Sequence, residues 1–265
     1  MNTKSKHPIR KLLVVLAYLG MLTVNALSTL LPLNGVTPQQ VSARYPNLFV
    51  PAGYTFSIWG IIYLALLLFV LYQLGLFQKK PPENDALNRK LAVIFILTSL
   101  ANAGWIFAFH YGALALSVVM TGSMLVCLIA ARLYLAAQPL SPRETAFLQV
   151  PFSLYFGWLT VATIANATAL LVSLGFGGFG ISEAVWTMVI LAIGAILAVV
   201  TALLYRDAAY LAVFLWAYAG ILQNHLSPAG FGGVYPGVIA MASLCIAAFA
   251  AVFLALLLKR KPVVA

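Results

Sequence analysis

The sequence predicts an all-α membrane protein, a bundle of about eight transmembrane helices. Three observations support this fold class. Hydrophobic residues make up 63% of the 265 residues and charged residues 8%, whereas soluble domains average roughly 45–50% and about 25%. Apolar runs of about 20 residues, the length that crosses a bilayer, recur along the whole chain. Basic residues fall between these runs, and no interval between them is long enough for a soluble domain.

The apolar runs predict eight spans in chain order. They are Leu12–Leu33, Phe56–Phe77, Leu91–Tyr111, Ala113–Ala137, Phe147–Leu174, Val185–Tyr205, Ala208–Asn224 and Val238–Leu258. The first has basic residues before it, as a secretory signal does, but it exceeds the apolar core of a signal and lacks a small-residue cleavage site, so we interpret it as an uncleaved span. The fifth is long, and we expect it to tilt, to kink near Pro151 or to extend into solvent. The seventh is the shortest.

The positive charge orients these spans. The net charge is +10, and with eight spans and a cytoplasmic N-terminus every Lys and Arg except Arg44 lies on the cytoplasmic side. Those residues are Lys4, Lys6, Arg10, Lys11, Lys79, Lys80, Arg89, Lys90, Arg132, Arg143, Arg206, Lys259, Arg260 and Lys261. This positive-inside bias predicts a multi-pass protein of the plasma or inner membrane with both termini cytoplasmic. We expect the basic residues to contact membrane lipids and expect no nucleic-acid partner.

Three stretches place tryptophan and amide side chains in or beside apolar runs, where an unpaired amide is costly. Their residues are Pro51, Tyr54, Trp59 and Tyr63 in the first stretch, Asn102 and Trp105 in the second, and Trp158, Ala162 and Asn166 in the third. Helical residues three or four apart share a face, so Trp59 lies with Tyr63 and Asn102 with Trp105, and the third stretch forms one stripe. The small Ala162 between two larger side chains suits a pocket wall. Close helix packing with interhelical amide bonds is the alternative explanation.

In order and composition these stretches resemble the motifs of the TspO/MBR family, the tryptophan-rich sensory proteins and the mitochondrial translocator protein. The family's Phe-x-Pro-Pro-x-Trp loop and the helix motif Trp-x-x-x-Tyr are matched by Phe49, Pro51, Trp59 and Tyr63. Its Leu-Asn-x-x-Trp motif is matched by Asn102 and Trp105, and its Pro-Tyr-x-x-Trp motif with a later Asn by Pro151, Phe152, Trp158 and Asn166. Ala52, Tyr54 and Phe152 depart from the family pattern. The resemblance covers about residues 10–174, so we predict a five-helix bundle at 1–174 and a three-helix extension at 175–265.

The resemblance implies a protein that binds a hydrophobic or tetrapyrrole-like molecule in an intramembrane aromatic pocket formed by the nine residues of the three stretches, with a sensory or regulatory role. A permease or export component for a lipophilic compound is the alternative. Oxidative porphyrin breakdown is a third hypothesis, weakened by Tyr54 in place of the loop tryptophan. The sequence contains no nucleophile–base arrangement and its histidines are dispersed. We therefore expect no enzyme and no metal or cofactor beyond a porphyrin- or haem-like ligand, and leave a homodimer open.

Overall fold

The computed structural model describes residues 7–77 and 85–258, and within them every regular element is helical. The long helices are α1 (Pro8–Leu30), α3 (Ile58–Gln73), α4 (Asp85–His110), α5 (Leu114–Ala136), α7 (Val150–Ser173), α8 (Glu183–Tyr205), α9 (Ala208–Leu226) and α10 (Pro236–Leu258). Two short helices are α2 (Pro38–Ala43) and α6 (Pro142–Glu144). The basic residues Lys4, Lys6, Lys79, Lys80, Lys259, Arg260 and Lys261 lie outside the described residues.

Seven helical segments in the described part of the chain are long and apolar enough to cross a membrane. The protein is therefore a polytopic helical membrane protein, and seven of the eight predicted spans meet this criterion. The exception is α9, the seventh predicted span. It is a helix of 19 residues. Its last turns carry Gln223, Asn224 and His225, and these polar residues make the helix less apolar than the other seven spans. At 1.5 Å per residue it is about 28 Å long, close to the roughly 30 Å of a hydrocarbon core.

The chain forms two compact units. Unit 1 comprises Met1–Val41 and Trp59–Phe152, and unit 2 comprises Ser42–Ile58 and Ser153–Ala265. The long helix that contains α7 contributes to both. The boundary predicted between residues 174 and 175 stays a prediction. The two units are groups of residues that contact one another, and each unit combines segments that are separate in the chain.

In unit 1, helices α1 and α4 start at the same end. The Arg10 guanidinium donates to Asp85 Oδ1 at 2.8 Å, and these residues stand at the starts of α1 and α4. The ammonium of Lys11 donates to the carbonyl of Leu74, just beyond the end of α3, at 2.9 Å. Helix α3 therefore runs opposite to α1, as expected for successive spans.

In unit 2, helix α9 runs back alongside α8. A Cβ built on Gly237 would lie 3.1 Å from the sulfur of Met188. Gly237 is at the start of α10 and Met188 is near the start of α8, so α8 and α10 begin at the same end. The Tyr218 hydroxyl, in the second half of α9, donates to the Leu191 carbonyl in the first half of α8 at 2.9 Å. Nine residues of α9 are buried within the protein, and His225 is one of them.

We expect α9 to cross the membrane despite its polarity. Reporter fusions after residue 180 and after the last residue test this, because three crossings place the two points on opposite sides and two crossings place them on the same side. The expected result is opposite sides. Reporters on one side would mean that α9 does not span.

The irregularity expected near Pro151 takes the form of a wide helical turn. The helical segment Pro142–Ser173 has 32 residues, and its residues Thr145–Gln149 form a π-helical turn. In a regular α-helix, the Pro151 ring would clash with the carbonyl of Phe147 and leave it unbonded. A wide turn immediately before the proline relieves this conflict.

Candidate functional site

Four aromatic side chains of unit 1 form a continuous group, which we call the aromatic row. It consists of Tyr63 and Trp59 on α3 and Trp105 and Phe109 on α4. The ring centroids of Trp59 and Tyr63 lie 5.5 Å apart and nearly parallel, those of Trp59 and Trp105 lie 6.0 Å apart, and those of Trp105 and Phe109 lie 5.5 Å apart. These separations fall in the range of favourable ring contacts. The sequence predicted three members and missed Phe109, although its position four residues after Trp105 places it on the same face.

The aromatic row differs in exposure along its length. Trp105 and Phe109 are buried, whereas Trp59 and Tyr63 are half-buried. The two residues of α3 therefore keep more accessible surface than the two residues of α4.

Beside the row lies a buried pair of amides. Asn25 Nδ2 donates to Asn102 Oδ1 at 2.6 Å and to the carbonyl of Met21 at 2.8 Å. Asn102 is 0% exposed, and its Nδ2 has no hydrogen-bond partner. The sequence singled out Asn102 and missed Asn25. The sequence does show Asn25 as an amide within the apolar run of α1. Its partner could not be named from the sequence, because the partner depends on how the helices pack.

The third predicted stretch lies on α7 in unit 2. Trp158 is buried, and its ring and that of Phe56 are nearly perpendicular, with a centroid distance of 6.3 Å. The Asn166 amide donates to the carbonyl of Ala162, one turn earlier, at 2.8 Å. This bond satisfies one of the Asn166 amide hydrogens within its own helix. Ala162 is half-buried.

Residues 48–55 of unit 2, which we call the strap, are attached to one face of α9. Side chains of α9 bind three strap carbonyls, each at 2.9 Å: Trp216 Nε1 to Thr55, Asn224 Nδ2 to Val50 and His225 Nε2 to Leu48. The strap amide of Ala52 donates to the Gly220 carbonyl at 2.9 Å. The predicted residues Pro51 and Tyr54 are part of the strap, and the ring of Tyr54 meets Trp216 edge to face at 5.5 Å.

Helix α8 holds the strap as well. The Glu183 carboxylate accepts a hydrogen bond from the Leu48 amide at 2.9 Å. Trp216, Gly220 and Asn224 are spaced four residues apart, so they share one face of α9. Sequence reasoning missed this arrangement. The four-residue spacing on α9 indicates a shared face, but it does not indicate that this face binds the strap.

The nine predicted site residues divide between the two units. Unit 1 brings together Trp59, Tyr63, Asn102 and Trp105, and unit 2 contains Pro51, Tyr54, Trp158, Ala162 and Asn166. The convergence of all nine on one cavity stays a prediction. Across residues 7–77 and 85–258, no group of three or more His, Cys, Asp or Glu side chains could hold a metal ion.

The spans, the aromatic row and the buried amide pair define a multi-pass helical membrane protein with an aromatic face inside one of its units. The family model described as TSPO-like protein matches residues 11–256, and the chain belongs to that family. The resemblance seen in the motifs is thus confirmed, and the match continues through α8, α9 and α10, beyond the part that the motifs covered. No curated protein and no solved structure matches the chain.

Proposed function

We propose that the protein binds a flat, largely apolar molecule, such as a porphyrin, against the aromatic row of unit 1. The proposal is for a sensory or regulatory binding protein rather than an enzyme. The observation that carries it is the row itself, in which Trp59 and Tyr63 are only half-buried and Trp59 contacts the buried Trp105. Ligand sites are mostly apolar, with a few polar groups that fix orientation, and the amide of Asn102 lies on the same face of α4 as Trp105.

The physical reason for expecting ring stacking is that the ligand is dissolved in lipid, and not in water, before it binds. A lipophilic molecule that is already dissolved in lipid gains little hydrophobic free energy by moving to a protein surface, since lipid tails are as apolar as the site. Selective binding must then come from ring contacts and polar bonds. Aromatic pairs contribute about 0.5–1.5 kcal/mol beyond burial, so a row of rings supplies the kind of interaction that such a ligand requires.

We further propose that both termini are cytoplasmic in the plasma or inner membrane. The support is charge position: Arg10 and Lys11 at the start of α1 and Arg89 and Lys90 near the start of α4 lie at one end of unit 1. An end rich in Lys and Arg is the cytoplasmic end of most multi-pass proteins.

Titration of the purified protein with protoporphyrin IX tests the binding proposal. Porphyrin absorbance and tryptophan quenching are followed for wild type, Trp59→Leu and Trp105→Leu. We expect each substitution to raise the dissociation constant about fivefold or more, because removing one ring contact of about 1 kcal/mol has that effect.

The control is Trp186→Leu. Trp186 lies at the start of α8 in unit 2, where its indole donates to the Gly178 carbonyl at 2.8 Å, and it is not a member of the row. Its replacement should leave porphyrin affinity unchanged. Equal losses in all three variants, or no binding by the wild type, would contradict the proposal and favour packing as the role of the row.

A further inference from the structure

We infer that the loop between α7 and α8, residues 174–182, inserts into the interfacial layer of the bilayer and binds lipid there. The contact is made by an aromatic cluster that consists of Phe176, Phe179 and Trp186. The inference is independent of the proposed ligand site, because the loop belongs to unit 2 and contains no residue of the aromatic row.

Phe179 is the residue of this loop that calls for an explanation. It is 86% exposed, more than any other large apolar residue that the structure describes, and it lies beyond the ends of both helices. Its φ is +55°, in the left-handed region that disfavours residues with a side chain. A glycine would adopt this conformation without strain. A phenylalanine in water would combine this strain with unfavourable hydration of its ring, so the position indicates an apolar environment outside the protein.

Ring contacts hold Phe179 in a defined position. Its ring and that of Phe176 are nearly perpendicular, with a centroid distance of 5.1 Å, and the centroids of Phe176 and Trp186 lie 6.3 Å apart. The Trp186 indole donates to the Gly178 carbonyl at 2.8 Å. A Cβ on Gly178 would lie 3.0 Å from the indole nitrogen, so the cluster depends on the close approach of this glycine to Trp186.

The loop also suits a poorly hydrated environment in its backbone and in its charge. The amides of Gly175 and Phe176 donate to carbonyls at the end of α7, and the Ile181 amide donates to the Gly178 carbonyl, each at 3.0 Å. Backbone groups that already have partners within the protein lose no hydrogen bonds to water when they enter lipid. No charged residue occurs between positions 174 and 182, so insertion requires no charge to be desolvated.

Lipid is the partner that fits this surface, because the loop continues the lipid-facing surface of two spans. Exposed apolar side chains stand at the end of α7, where they are Leu171 and Val172, and in the first turns of α8, where they are Val185 and Val189. Leu174, which is 71% exposed, extends this surface into the loop. Aromatic and leucine side chains are the ones that enter the boundary between lipid headgroups and acyl chains.

Fluorescent labels on single cysteines test the insertion in liposomes. Cys127 and Cys245, the two cysteines of the chain, are replaced by alanine. A cysteine that carries the fluorophore NBD is then introduced by Phe179→Cys or, as the control, by Ala229→Cys. Ala229 is also exposed, and it lies in the connection between α9 and α10, at the same end of unit 2. Emission is recorded with lipids brominated near the headgroup, with lipids brominated near the chain end and with aqueous iodide, and thermal unfolding checks that each labelled protein is folded.

We expect the label at position 179 to lose most of its emission to lipids brominated near the headgroup, because interfacial segments lie about 5–10 Å into the boundary with the acyl chains. It should be shielded from iodide, and the label at position 229 should be quenched by iodide instead. Iodide quenching as strong at 179 as at 229 would overturn the inference, since Phe179 would then stand in water. Equal lipid quenching at both positions would also overturn it, since the label itself would explain the insertion. Protection of 179 from every quencher would overturn it in favour of a protein partner or a second copy of the chain.

Discussion

Gly157→Ala is expected to destabilise unit 2 by about 1–3 kcal/mol or more, the usual cost of overpacking a close contact. Gly157 lies on α7, where α9 approaches closely. A Cβ at this position would lie 2.9 Å from the Tyr210 carbonyl oxygen and 2.9 Å from Val213 Cβ. Both atoms belong to a helix backbone or to a stiff β-branched side chain, so neither can move aside without shifting α9. Thermal unfolding in detergent, followed by circular dichroism, measures the loss.

Gly122→Ala is the matched control. Gly122 is also helical, on α5, but nothing lies within 4 Å of the position where its Cβ would be built. Alanine is the better helix former by about 0.5–1 kcal/mol, so this variant should be as stable as the wild type or slightly more so. Similar melting temperatures for the two variants would show that α7 and α9 do not pack as closely as described.

The positions of the helices could be predicted from the sequence, because an apolar run of span length is a signal carried within each segment. The start of α9 at Ala208 and the end of α8 at Tyr205 agree with the predicted bounds. The predicted first span runs to Leu33, but α1 ends at Leu30. Pro32 explains this difference, since it disfavours helical geometry in the residue before it and has no amide to continue the helix.

The candidate site was predictable only where its geometry lies within one helix. Trp59 with Tyr63, and Asn102 with Trp105, follow from spacings of four and three residues. Contacts between helices depend on the rotation and depth of each helix, which the spacing does not specify. For this reason the partnership of Asn25 with Asn102 could not be found from the sequence, nor could the attachment of Trp216 to the strap.

Gly220→Ala is expected to detach the strap from α9. A Cβ on Gly220 would overlap the Oγ1 of Thr55 and lie 2.9 Å from its Cγ2. The Gly220 carbonyl is also the acceptor for the Ala52 amide, so the strap cannot retreat without losing that bond. An overpacking cost of about 1–3 kcal/mol would raise the detached population roughly 5- to 140-fold, since each 1.4 kcal/mol is a factor of ten.

Limited trypsin digestion measures this population. Arg44 is exposed and stands four residues before the strap, and cleavage there tracks the open form when closing is fast. We expect Gly220→Ala to raise the rate of cleavage after Arg44 about tenfold. Thr55→Ala added to it should restore most of the protection, because it removes the two closest atoms of the clash, Oγ1 and Cγ2, and leaves only the Thr55 Cβ at 3.0 Å. Thr55→Ala alone should change little, since its buried Oγ1 has no hydrogen-bond partner. An unchanged rate in Gly220→Ala, or a double variant cleaved as fast as the single, would show that the close approach of Thr55 to Gly220 does not hold the strap in place.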